Sequence, residues 1–187
     1  MKRKILAIAL IAVCLSILAY STTAYFTYKD TATNVITMGN MRIQIHETAL
    51  TPDGVVPFRD PINVLPGTSV SKIVEVKNVG TSAAWIRISL EKSIHLARNA
   101  YGIVDLSLID YNINRADWVE LDGYYYYVEP LLPGETTKPL FTTVYFSKYM
   151  GNMYQGSVAI IEVHTEATQV ANNGSNVLEA LGWPSAD

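Results

Sequence analysis

Few residues in this chain could do covalent or metal chemistry, and their spacing limits what that chemistry is. The chain has three histidines and one cysteine. His46 and Glu47 open the His-Glu-x-x-His pattern that turns two imidazoles of one helix toward a zinc ion. Leu50 stands where the second His is needed, and both residues fall in a strand-like run. His164 and Glu166 are two apart, which puts them on one face of a strand. His46, Glu47, His164 and Glu166 are therefore weak metal-ligand candidates, and spacing names no further ligand. No Ser is bracketed by glycines as in a nucleophile elbow, and there is no glycine-rich phosphate loop and no calcium loop. The residues point to no catalytic group, no cofactor-binding group and no resident metal.

Tyrosine is the other unusual resource. Twelve occur, and Tyr124, Tyr125, Tyr126 and Tyr127 form an unbroken run. On a strand, alternation sends one pair to the core and the other outward. The outward pair would offer rings and hydroxyls to sugars or to another subunit, whereas the plain alternative is that tyrosine suits strands.

These residues need elements to position them, and the elements read as strands. Met41, Ile43 and Ile45 alternate with Arg42, Gln44 and His46; Val74 and Val76 alternate with Glu75 and Lys77. Ala84 to Glu91, Val104 to Ile109, Leu140 to Phe146 and Val158 to Thr165 are further β-prone runs. Period two means one buried and one wet face, and short, evenly spaced strands suggest an all-β antiparallel sandwich. Asp122-Gly123 between two such runs predicts a type I′ hairpin, which needs φ > 0 at both central residues. Leu65-Pro66-Gly67 and Leu132-Pro133-Gly134 predict type II turns, each followed by a Lys, Lys72 or Lys138, near the start of a strand. Helix is scarce: residues 97–114 could hold a short one or a loop. In the tail, Asn176 and Glu179 form a capping pair closed by Gly182 and Pro184, after a linker of Asn172-Asn173-Gly174-Ser175.

The first 24 residues are a different polymer. Met1-Lys2-Arg3-Lys4 is basic, Ile5 to Tyr20 is almost wholly apolar, and Ser21-Thr22-Thr23-Ala24 are small. That is the layout of a secretory signal peptide, cut after Ala24 or after Tyr25. The strictly apolar stretch is shorter than the roughly 20 residues that cross a bilayer core, which favours cleavage over a retained anchor. The leader carries three of fourteen basic residues, none of the seventeen acidic ones and the only cysteine, Cys14, so the net charge moves from −3 to −6 on cleavage. An acidic chain lacks the basic patch that nucleic-acid binding requires, and a cysteine-free one must rely on core packing. The layout expected is a signal peptide at 1–24, an extended segment at 25–40, a sandwich at 41–171, and a linker with a short helix at 172–187. The segment from Tyr25 to Ile36 is β-prone and weakly charged, with Tyr25, Phe26, Tyr28, Val35 and Ile36 as apolar anchors. Freed by cleavage, it would seek a sheet edge, either in its own domain or in a neighbour.

Three stretches carry a family resemblance. They are Ser21-Thr22-Thr23-Ala24-Tyr25-Phe26-Thr27 with Ala32 to Asn40; Val64-Leu65-Pro66-Gly67 with Val74 to Gly80; and Met153-Tyr154-Gln155-Gly156 ending in Thr165 to Gln169. With Asp122-Gly123-Tyr124 to Tyr127 and Leu132 to Thr136, the chain resembles the TasA/camelysin family, in its branch of small SipW-type exported proteins of Gram-positive bacteria. The resemblance implies a jelly-roll-like sandwich behind an N-terminal signal helix, removal of the leader by a dedicated signal peptidase, and a place in the extracellular biofilm matrix or at the cell surface. It also implies fibres in which one subunit's leading segment adds a strand to the next. Partners would be copies of itself or related matrix subunits, the signal peptidase during export, and the membrane only through the signal segment, with no nucleic acid. Some family members are classed as metallopeptidases, so a zinc-dependent surface peptidase, with chelation-sensitive cleavage, is the alternative. A monomeric surface adhesion module using the tyrosine hairpin is a third.

Overall fold

The computed structural model describes residues 37–38 and 41–184, all within a unit spanning Ala32–Asp187. The expected leader and the anchors at 25, 26, 28, 35 and 36 lie outside the described residues. Among the described residues twelve strands follow in order: β1 (Thr37–Met38), β2 (Met41–Thr51), β3 (Gly54–Pro57), β4 (Ile62–Asn63), β5 (Ser69–Ser71), β6 (Ile73–Asn78), β7 (Ala84–His95), β8 (Ile109–Tyr111), β9 (Trp118–Leu121), β10 (Tyr124–Tyr127), β11 (Thr143–Phe146) and β12 (Val158–Gln169). Every pairing among them is antiparallel.

One layer is a five-stranded sheet in the order β4-β12-β7-β10-β9. Its spine is the β7–β12 pair, in register from Ala84↔Gln169 to His95↔Val158. The other layer combines β1-β2-β3, with β6 on the far side of β2, and the sheet β5-β11-β8. Only Lys72 separates β5 from β6. The Lys72 and Val74 amides both donate to the segment before β11, at Thr142 O and Phe141 O, which ties the two sheets of this layer together. Alternation decides the faces: Ile43, Ile45, Val74 and Val76 of one layer and Ile86, Ile88, Ala159 and Ile161 of the other are all buried in one core with Trp118, Tyr127, Phe141, Val144 and Phe146. Each such aliphatic residue contributes about 1.5–3 kcal/mol by leaving water, so the core can hold the domain without a disulfide.

The expected turns form for the expected reason. Asp122 and Gly123 have φ of 50° and 81°, and Tyr124 pairs with Leu121 across them. Gly67 and Gly134 lie at φ 74° and 84°, with Thr68 N bonded to Leu65 O and Glu135 N to Leu132 O.

Three local expectations change. Val104 to Ile109 is not one strand: Leu106–Leu108 is a single 3-10 turn, and β8 begins only at Ile109. Asp105 caps that turn by accepting from Ser107 N, a local bond that competes with extended pairing. The short helix expected in the tail does not form: the segment is a turn, with Glu179 N bonded to Asn176 O and Ala180 N to Val177 O. Nor is 172–175 a free linker. Asn173 donates to Thr168, Gln169 and Leu181 and accepts from Leu181 N, which pins the tail to the end of β12.

Candidate functional site

The outer face of the five-stranded sheet carries four of the residues singled out in the sequence, Tyr124, Tyr126, His164 and Glu166. Odd positions of β7 (Trp85, Arg87, Ser89, Glu91) lie beside even positions of β12 (Glu162, His164, Glu166, Thr168) and of β10 (Tyr124, Tyr126). Within this face the pairings differ from those expected. Glu166 is not among the side chains grouped around His164. It holds Arg87, whose Nε donates to Glu166 Oε2 at 2.6 Å. Burial opposes the charge on Arg87, but bonds to Tyr126 and Glu166 outweigh it and raise its pKa. The guanidinium also stacks on Tyr124, 3.9 Å from the ring centroid, and on Trp183 at 4.7 Å.

His164 meets different neighbours. His164, Glu162 and Glu91 bring one ligand atom each to within 4.8 Å of one another. Glu91 and Glu162 are directly opposed across the strands, a like-charge pair that is unfavourable alone. His164 Nε2 is occluded without a hydrogen bond, 3.8 Å from Glu162 Oε2. One imidazole and two carboxylates suit a divalent cation such as zinc or manganese. Glu91 and Glu162 are exposed on a flat sheet face.

His46 and Glu47, adjacent in β2, point to opposite faces and do not act together. His46 sits opposite Glu75 on β6. Glu47 follows Ile43 and Ile45 inward and meets Lys72, which shares the buried parity of Val74 and Val76. Lys72 is fully buried, with Nζ 2.7 Å from Glu47 Oε1 and 3.4 Å from Asp60 Oδ2. The Phe58 ring lies under it, 4.1 Å to the centroid. Sequence reading passed over Lys72 as a residue following a turn. The signal was there: two charged residues, 47 and 72, fall on the inward parity of neighbouring strands.

The tyrosine run divides as alternation requires, but its outer pair is covered. Tyr127 enters the main core against Trp118, ring centroids 5.1 Å apart, and Tyr125 packs beside it. Burial pushes the Tyr125 hydroxyl pKa up, and Glu120 adds to that. Tyr126 is buried in a second small core with Trp85, Val177 and Ala180, packed by Tyr124 and Trp183. The tail therefore occupies the surface that Tyr124 and Tyr126 were expected to offer.

The edge of β2 is the remaining feature. β1 pairs with its start (Met38↔Met41, Thr37↔Arg42) and β3 with its end (Thr48↔Pro57 to Thr51↔Gly54). β6 takes the opposite edge from Ile43 to Thr48. Between β1 and β3, no described strand pairs with the near edge over Ile43–His46.

Comparison with protein families, with curated proteins and with solved structures gives no match.

Proposed function

We propose that this chain is an exported, non-enzymatic subunit of an extracellular or cell-surface fibre, assembled by adding the leading segment of one subunit to a sheet of the next. The observation that carries this reading is the β2 edge. The chain enters β2 through β1, antiparallel and in register, directly from the β-prone residues 25–36. Continuing that register would set Ile36 opposite Ile43, Val35 opposite Gln44 and Asn34 opposite Ile45, over the stretch that β1 and β3 leave between them. A strand added there would have its backbone groups paired and its alternate side chains packed. If it comes from a neighbour, the contact is head-to-tail and grows a filament. The leader holds the segment at the membrane, so cleavage starts assembly.

The test is electron microscopy of mature chain beginning at Tyr25 beside chain beginning near Asn40. The first should form fibres and the second should stay dispersed. Equal fibres from both would remove strand donation.

One observation favours the second reading, a camelysin-like surface peptidase: Glu91, Glu162 and His164 could hold a zinc ion. The metal would supply Lewis-acid activation of water, and these three side chains would keep it on the sheet face.

A further inference from the structure

We propose that Lys72 and Asp60 become joined by an amide bond between their side chains, with Glu47 carrying the proton. Lysine is almost never fully buried unless paired, and Lys72 is fully buried between two carboxylates with an aromatic ring beneath. Two carboxylates and an ammonium meet there where water is scarce: the Glu47 and Asp60 side chains are only 15% and 30% exposed. Such burial is costly for charges and favours neutral products.

The geometry supplies the reaction. Nζ lies 3.4 Å from Asp60 Oδ2, an oxygen of the carboxyl group whose Cγ it would attack, and groups held side by side in this way react as though at high concentration. Proton transfer from the ammonium to the Asp60 carboxylate makes the two reactive forms, a free amine and a carboxylic acid. The Nζ lone pair attacks Asp60 Cγ and forms the C–N bond. Glu47 Oε1 is 2.7 Å from Nζ, buried, and not aligned in a hydrogen bond, so it is free to take the proton from nitrogen. It returns that proton to the Asp60 hydroxyl, the C–O bond breaks, and water leaves. Amine plus acid gives amide plus water, with no oxidant or cofactor. Phe58 and the core behind it limit access of the water that would reverse the step.

The bond would tie the connection after β3 to the β5–β6 junction in a chain that has no cysteine once its leader is gone. Cross-links stabilise largely by restricting the unfolded chain. The inference stands apart from the fibre reading, since a monomer would carry the bond equally.

Intact-mass spectrometry of the folded mature chain tests it. The expected mass is one water below that of the sequence, and digestion should yield a branched peptide joining Asp60 to Lys72. Asp60→Asn should lose ammonia instead of water and give the same branched product. Lys72→Arg and Glu47→Gln, shown folded by circular dichroism, should keep full mass. A folded wild-type chain at full mass overturns the bond, and condensation in Glu47→Gln overturns the role of Glu47.

Discussion

Gly174 lies at φ 57°, and a Cβ built on it would stand 2.9 Å from both Ala180 N and Glu179 C. Two penalties coincide there: a left-handed backbone and a clash with main chain that cannot swing away. Gly174→Ala should destabilise the domain by about 2 kcal/mol, read as a lower midpoint in thermal or urea unfolding. Gly123, at φ 81° with open space around it, shows the contrast, because only the backbone term applies there. Legibility in the sequence follows the same division. Gly67, Gly123 and Gly134 were readable because a turn states its requirement in four adjacent residues. Gly174 was read only as part of a linker, since the atoms that crowd it come from a turn whose docking depends on a distant sheet. The pairing of Glu166 was hidden for a related reason: its partner, Arg87, is a cross-strand neighbour that no local spacing reveals.

At the scale of elements, β2, β7 and β12 were legible because each is a long β-prone run whose inward positions are mostly apolar. The tail was not. Val177, Ala180 and Trp183 are too few to show a period, and they are ordered by the face that Trp85, Tyr124 and Tyr126 present. The tail's attachment has a pH dependence. The Ser175 hydroxyl and amide both donate to Glu179 and hold its carboxyl below the usual range. A carboxylate with a depressed folded pKa stabilises fully above its unfolded value and loses that contribution as pH falls through the folded one. Trp183 fluorescence should therefore report loosening of the tail in acid, below the ordinary carboxylate range. In Glu179→Gln the acid-induced change should shrink. An unchanged acid profile in that variant would assign the effect to another group.

At the scale of the molecule, a sandwich with a well-filled main core and no cysteine after Cys14 can hold its fold by packing alone. The proposed assembly depends on a different feature, the stretch of β2 edge between β1 and β3. The same register serves a subunit that folds its own leading segment back and one that receives a neighbour's, so the pairing has to be assigned to one chain or two. Val35→Cys and Gln44→Cys, placed in separate chains that begin at Tyr25 and so lack Cys14, separate these outcomes. On mixing under assembly conditions and mild oxidation, the account predicts disulfide-linked dimers containing one chain of each kind. If the mixture yields no such dimers, while a chain carrying both substitutions closes a disulfide within itself, the leading segment belongs to its own domain and the fibre account is contradicted.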